Sequence, residues 1–312
     1  MFQPKVTVVG AGQVGATVAF CLLTRNVADV VLVDVAEGLP QGKALDMMHS
    51  RSVLRFAPVV SGSNDYDATA DSDVVVVTAG LPRRPGMTRD ELLAVNSGIV
   101  ESVITAAVAA SPDAVFICVT NPLDVMTNLA WKLSGLPAER VFGMGGVLDS
   151  ARFAYFIADA TGAPIEEIDA LVVGAHGDAM VPLSRLSSVS GRPLTDVLPA
   201  DAVAEVVRRT VFGGAEVVSL LKTGSAFYAP GASAAAMVEA VLRDTRAALP
   251  SCVLLRGEYG IDGVHMSVPA VLGLSGVVEV PELELTDDEL SALQGSAEGI
   301  REQVAALESA RS

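Results

Sequence analysis

Residues 5–34 read KVTVVGAGQVGATVAFCLLTRNVADVVLVD, and the order of elements in this stretch decides the fold. Lys5 to Val9 is a β-branched, almost uninterrupted apolar run of the kind found in strands covered on both faces. Gly10-Ala11-Gly12-Gln13-Val14-Gly15 follows, then an uncharged helical stretch up to Arg25, then a second β-branched run that closes at Asp34, nineteen residues beyond Gly15. The three glycines have separate tasks. Gly10 permits a tight turn, Gly12 lets backbone approach a pyrophosphate, and Gly15 lets helix and strand pack closely, while the helix N-terminus offers unpaired N–H groups to the anion. Asp34 can accept hydrogen bonds from both hydroxyls of an adenine ribose and would repel a 2′-phosphate, which favours NAD over NADP. The glycine spacing alone fits many packed strand-turn-helix units. The strand before it, the helix after it and the acid closing the next strand together make it a dinucleotide site.

Working outward, Val30–Asp34, Asp73–Thr78 and Ala114–Val119 are further β-branched runs, each followed by a helical pattern. Such alternation predicts βαβ units and a Rossmann-type, doubly wound parallel sheet, an α/β fold over residues 1–143. Past Gly143–Gly146 the pattern becomes mixed, and residues 144–312 are expected to form an α+β substrate-binding and catalytic part. Helices are predicted at Leu148–Thr161, Asp201–Leu221, Gly231–Ala248 and Asp287–Glu308, and strands at Ile168–Val173, Met180–Val181, Cys252–Arg256 and Ser267–Val280. No repeat, low-complexity linker or hinge separates the halves, so they should pack as one body.

Composition narrows the function. With 51% apolar and 19% charged residues the chain can bury a large core. Lys+Arg 21 against Asp+Glu 37 leaves −16, a field that repels phosphate backbones and anionic lipid, so neither nucleic acid nor membrane is an expected partner. Only Lys5, Lys43, Lys132 and Lys222 are lysines, an acidic, lysine-poor pattern compatible with a salty cytosol. Cys21, Cys118 and Cys252 have no metal-ligand spacing and sit among apolar neighbours, which points to a reducing, cytoplasmic setting without a metal centre. The uncharged run Val6–Thr24 is broken by glycines and preceded by no cluster of positive charge, so it reads as buried strand and helix rather than as a signal or membrane span.

Three further segments carry chemistry. Thr78 to Arg89, TAGLPRRPGMTR, follows a strand at the edge where open sheets bind ligands, and sets Arg83, Arg84 and Arg89 within seven residues of an otherwise acidic chain. Taken alone, the loop fits an anionic ligand and plain solvation equally well. Asn96 lies in the following helix, and Asn121-Pro122 ends the next sheet strand at the same edge. Asp149 and Arg152, three apart on a predicted helix, by themselves suggest a surface ion pair. His176 changes the balance: in Gly174-Ala175-His176-Gly177-Asp178 it stands on a sharply bendable backbone after an apolar strand, and an imidazole titrates where an acid–base catalyst must. His49 and His265 have no comparable setting.

In their order, GAGQVG, Asp34, TAGLPRRPGMTR, VTNPLDV, LDSAR and GAHGDAMVP make the chain resemble the malate dehydrogenase branch of the lactate/malate dehydrogenase family over essentially its whole length. The resemblance implies reversible hydride transfer between (S)-malate and NAD+, giving oxaloacetate and NADH. His176 would carry the proton and Asp149 would be its partner. Arg152 would hold the substrate carboxylate, Arg89 would polarise the reacting carbonyl, and Asn121 would serve both substrate and nicotinamide. Arg83 would stand at the position that selects the substrate, where lactate dehydrogenases usually carry glutamine. Cofactor contacts are expected from Gly10, Gly12, Gln13, Val14, Gly15, Asp34, Asn96, Val119 and Asn121. The family assembles as dimers or tetramers, and the resemblance is to those malate dehydrogenases that are themselves lactate-dehydrogenase-like, which favours a homotetramer over a homodimer. A lactate dehydrogenase is the nearest rival, set apart by Arg83. An NAD-binding sensor without chemistry would be expected to have lost His176, Asp149 or Arg152, and all three are present.

Overall fold

The computed structural model describes residues 3–81 and 89–311. Its first half runs β1 (Lys5–Val9), α1 (Gln13–Thr24), β2 (Asp29–Val33), α2 (Leu39–Leu54), β3 (Val60–Ser63), β4 (Val74–Val77), α3 (Arg89–Ala110), β5 (Val115–Cys118), α4 (Leu123–Ser134) and β6 (Val141–Gly143). These six strands are parallel in the order β3-β2-β1-β4-β5-β6, a doubly wound sheet whose order reverses between β1 and β4. Strand alternation serves both faces. Val74, Val76, Val115 and Ile117 enter one core with α1, while Val75, Val77, Phe116 and Cys118 enter a second with α3 and α4. That two-sided burial is why the sequence runs are continuously apolar.

The second half contains α5 (Gly146–Thr161), β7 (Ile168–Asp169), β8 (Val172–Gly174), β9 (Met180–Pro182), β10 (Ser188–Val189), β11 (Arg192–Pro193), α6 (Leu194–Val197) and α7 (Ala200–Leu221). It continues with α8 (Tyr228–Leu242), β12 (Ala248–Arg256), β13 (Asp262–Gly273), β14 (Gly276–Glu279) and α9 (Asp287–Arg311). It does not build a separate large sheet. β12 pairs antiparallel with β6 at Cys252 and Gly143, and β13, β8 and β9 extend the same sheet beyond it. α8 lies on α1 of the first half so closely that a Cβ on Gly231 would stand 2.6 Å from Thr17 Cβ. Shared sheet and shared core join the two halves into one body, as the lack of a linker predicts.

Several element boundaries differ from expectation, three of them with a clear local cause. Ile168–Val173 is two strands in different sheets, because the chain leaves the small β7-β10-β11 sheet at Ala170-Leu171 before β8 joins the large one. The helix expected over Gly231–Ala248 spans Tyr228–Leu242 and stops where Asp244 and Arg246 take positive φ and turn the chain into β12. Ser267–Val280 is a hairpin, with β13 and β14 joined by a turn into Gly276 at φ +95°.

Candidate active site

The glycine-rich turn closes at the carboxyl end of β1. Gly10 has φ +104°, and a Cβ there would lie 2.7 Å from Thr78 Oγ1 and 2.8 Å from the Ala79 nitrogen. A Cβ on Gly15 would lie 1.9 Å from the Gly10 carbonyl oxygen, so helix and turn touch there. Around Gly12, by contrast, there is open space, and α1 begins without a side-chain cap. Free N–H groups facing open space fit a pyrophosphate. The cleft beside them, about 480 Å³, is lined by Gly12, Gln13, Val14, Gly15, Asn96, Val119 and Asn121 together with Leu221, Thr223, Gly224, Ser225 and Phe227. Asp34 closes the turn. Its Oδ2 accepts the Ala11 N–H at 2.7 Å and its Oδ1 accepts the Ala36 N–H at 2.9 Å. Seven of the nine residues expected at the cofactor therefore line one cleft, and the other two, Gly10 and Asp34, shape the turn beside it.

Asn96 is buried, and its amide is fully engaged. Its Oδ1 accepts the Leu81 N–H at 2.8 Å, and its Nδ2 donates to Leu81 O at 3.2 Å and Asn121 O at 2.7 Å. Its geometry ties the ends of β4 and β5 together. Lys43 was not foreseen: its ammonium donates to the Gly12 carbonyl at 3.1 Å, with burial drawing its pKa below the usual lysine value against the opposing charge of Asp34.

His176, Asp149 and Arg152 meet in a second cluster. Gly145 and Gly146 let the start of α5 approach the sheet: a Cβ on Gly145 would stand 2.5 Å from Ser267 Oγ and 3.5 Å from His176 Cβ. Asp149 thereby enters the interior in the first turn of α5, with 2% of its side chain exposed. Its Oδ2 lies 2.8 Å from His176 Nδ1, and its Oδ1 accepts Arg152 Nη1 at 3.2 Å. The ion pair is thus internal, not the surface pair that the two residues suggest in isolation. A carboxylate only accepts, so Nδ1 carries a proton and Nε2 is the nitrogen free to exchange one. Burial draws the imidazole pKa down, but the charge and hydrogen bond of Asp149, then the charge of Asp124, outweigh it against opposing Arg152, and the net shift is upward.

Other positions emerge only in three dimensions. Ser296 of α9 accepts the Ala175 N–H at 2.8 Å and donates to Ala179 O at 2.8 Å, which fixes the histidine loop. The guanidinium of Arg152 lies against Gly214 of α7, with Nη2 3.4 Å from where a Cβ would be. Two adjacent glycines, Gly213-Gly214, in the middle of a long helix were the available signal. Arg83 and the side chain of Arg89 fall outside what the structure describes; Arg89 is the first residue of α3. No His/Cys/Asp/Glu group able to hold a metal ion occurs among the described residues.

The family description "lactate/malate dehydrogenase, NAD binding domain" matches residues 4–143, and "lactate/malate dehydrogenase, alpha/beta C-terminal domain" matches residues 146–310. The chain belongs to the lactate/malate dehydrogenase family. This is a family of NAD-dependent oxidoreductases, and the cofactor of this family member is NAD. Among its relatives is the malate dehydrogenase of Thermomicrobium roseum, 54% identical over 303 residues, 97% of this chain and 98% of that one. Among solved structures, the malate dehydrogenase of Salinibacter ruber is 47% identical with a TM-score of 0.95, over 98% of both chains. The lactate dehydrogenase of Cryptosporidium parvum, complexed with lactic acid and nicotinamide adenine dinucleotide, is 42% identical with a TM-score of 0.95, over 99% of both chains.

Proposed function

We propose that the protein is a malate dehydrogenase that transfers hydride reversibly between (S)-malate and NAD+, giving oxaloacetate and NADH, with His176 as general acid and base. The observation that carries this reading is the Asp149 carboxylate held between His176 Nδ1 at 2.8 Å and Arg152 at 3.2 Å. Bound NAD supplies the hydride acceptor, and NADH the donor. In malate oxidation His176 Nε2 takes the hydroxyl proton, and Asp149 stabilises the resulting imidazolium. In reduction the imidazolium returns that proton to the carbonyl oxygen. Arg152 receives the C1 carboxylate through its planar fork, a geometry a lysine could not match. Asn121, at the end of β5, orients the reacting end, while Arg89 polarises the carbonyl and Arg83 pairs with the second carboxylate. A pyruvate methyl would leave the Arg83 guanidinium desolvated and unpaired.

A lactate dehydrogenase is the second reading, favoured by the 0.95 TM-score to an enzyme of that name. Following NADH absorbance with oxaloacetate and with pyruvate separates the two. Faster turnover of oxaloacetate, reduced roughly 10²–10⁴-fold in His176→Asn, is expected. Preference for pyruvate would refute the choice of substrate, and near-normal turnover in the variant would refute the role of His176.

The proposal extends to a cytoplasmic homotetramer, with a homodimer as the alternative, divided into an NAD-binding part over 1–143 and a catalytic part over 144–312. All three cysteines are free thiols. α2 exposes Leu45, Val53 and Leu54, and α7 exposes Phe212, Leu220 and Leu221, apolar side chains that an assembly would cover. Light scattering on the eluted protein tests the subunit number. The charge of −16 supports a chain without nucleic-acid or membrane partners.

A further inference from the structure

A second buried carboxylate stands behind the histidine. Asp124 occupies the first turn of α4 in a stretch buried from Leu123 to Ala130, and is only 6% exposed. Among the described residues, no arginine or lysine forms an ion pair with it. Its Oδ2 accepts the backbone N–H of His176 at 2.9 Å, and its Oδ1 accepts the thiol of Cys252, on β12, at 3.3 Å. One carboxylate therefore clamps the backbone of the residue whose side chain Asp149 holds from α5. A thiol is a weak donor, and one amide is slight compensation for a buried charge.

We propose that Asp124 is a positioning residue for the reaction: it anchors the His176 backbone through one oxygen and, through its charge, holds the proton on the imidazole. The proposal rests on the acid–base role given to His176 above. Several groups face this pair. From α5 come Asp149 and Arg152, from β12 comes Cys252, and from α4 itself comes Thr127, which hydrogen-bonds toward the Cys252 thiol. Burial pushes the Asp124 carboxyl up to about 6, and Asp149 pushes the same way, while the charge and N–H of His176 and the Cys252 thiol hold it down. Above that value Asp124 is charged and favours the imidazolium. As pH falls through it, the charge is lost and so is that support. Each group thus biases the other's proton, as coupled sites must.

Asp124→Asn and Asp124→Ala separate anchoring from charge. Asparagine keeps an acceptor for the His176 N–H and removes the charge, while alanine removes both. With three histidines in the chain, His176→Asn assigns the imidazole resonance, and its titration can be followed by NMR in the intact protein independently of turnover. In Asp124→Asn the His176 midpoint should move to lower pH by about one unit. The midpoint of kcat/KM for 2-oxo acid reduction should move with it, and kcat on the low-pH plateau should stay within a few-fold. In Asp124→Ala the plateau kcat should also fall, roughly ten- to a hundredfold, with NADH affinity unchanged. An unmoved imidazole midpoint in Asp124→Asn overturns the proposal, as does an Asp124→Ala variant that loses only thermal stability. If Asp124→Ala does not fold, the asparagine variant decides alone. If His176→Asn turns over normally while the imidazole midpoint still responds to Asp124, the acid–base role has failed and the coupling stands.

Discussion

Gly214 should trade stability against substrate binding. It lies inside α7, where glycine is disfavoured against alanine by about 1 kcal/mol. A Cβ at this position would stand 3.4, 3.6 and 3.7 Å from Nη2, Nη1 and Cζ of Arg152, in contact with the guanidinium without overlapping it. Gly214→Ala should therefore raise stability by about 0.5–1 kcal/mol, a gain of roughly 1–4 °C in Tm for a chain of this size, and change kinetics little. Gly214→Val places methyl groups a further ~1.5 Å out along bonds that leave the Cβ, which puts them inside the contact distance of the guanidinium and displaces it. A buried charge pair broken on one side costs about 2–5 kcal/mol; losing half of such a grip costs about 1–2.5 kcal/mol, roughly a five- to seventyfold fall in kcat/KM for the oxo acid. NADH affinity should not change, because the cofactor cleft is not lined by Gly214. Differential scanning calorimetry, NADH titration and steady-state kinetics on the two variants measure all three quantities. A valine variant with unchanged kcat/KM would show that the Arg152 guanidinium need not stay where α7 leaves room for it.

Three further outcomes follow from the geometry. Asp34→Ser should narrow the gap between NADH and NADPH and also weaken NADH, since the same carboxylate holds the Ala11 N–H; equal use of both cofactors by the unaltered protein would refute the first part. Arg83→Gln should lower the ratio of kcat/KM for oxaloacetate to that for pyruvate, roughly thirtyfold or more, and an unchanged ratio would assign the second carboxylate to another cation. Burial, helped by the charges of Lys132 and Arg256, draws the pKa of His265 down to about 3. An unfolded chain takes up a proton there near 6.5, so this contribution is complete above that pH and lost as pH falls, on the order of 4 kcal/mol by pH 3. A urea midpoint of the unaltered protein no more acid-sensitive than that of His265→Gln would refute it.

How much of this was legible depended on how far each feature is local. The turn from Gly10 to Gly15 and its partner Asp34 lie within one βαβ unit, where chain direction and strand order leave little freedom, so their arrangement could be read from spacing. Apart from the family resemblance, which joined them, Asp149, Arg152 and His176 were readable only as separate hints. Their union depends on β8 joining the extended sheet beside β13 and on Gly145-Gly146 admitting α5, neither of which periodicity reveals. Asp124 was hidden in a helix that reads as core, and Ser296 on the buried face of α9, a helix whose sequence is largely polar. Each acts through a backbone N–H of the histidine loop, a contact that can be seen only after distant elements are packed. The continuation of the sheet through β12 was equally hidden, because its link to β6 is a single residue pair, Cys252 and Gly143.

The charge balance around His176 leads to a last expectation. Asp149 and Asp124 against Arg152 leave this cluster one negative charge in excess while the imidazole is neutral. A proton on His176 restores balance, in line with its raised pKa. An oxo diacid then adds two negative charges, and the arginines expected to meet it besides Arg152, namely Arg83 and Arg89, supply two positive ones. On the proposed mechanism the imidazolium is needed twice, as the proton donor and as the charge that makes entry of the carboxylates favourable. The group favours its charged form, so the state competent for reduction is populated below the His176 midpoint and lost as pH rises through it. The state competent for oxidation follows the opposite course. Oxaloacetate reduction should therefore fade on the alkaline side chiefly through a rising KM, and binding of a non-reactive oxo-acid mimic to the NADH complex above the midpoint should take up close to one proton. Calorimetry in two buffers of different ionisation enthalpy measures that uptake directly. Binding with no proton uptake above the midpoint would mean that His176 does not charge in response to the ligand, and would confine its role to the hydride step.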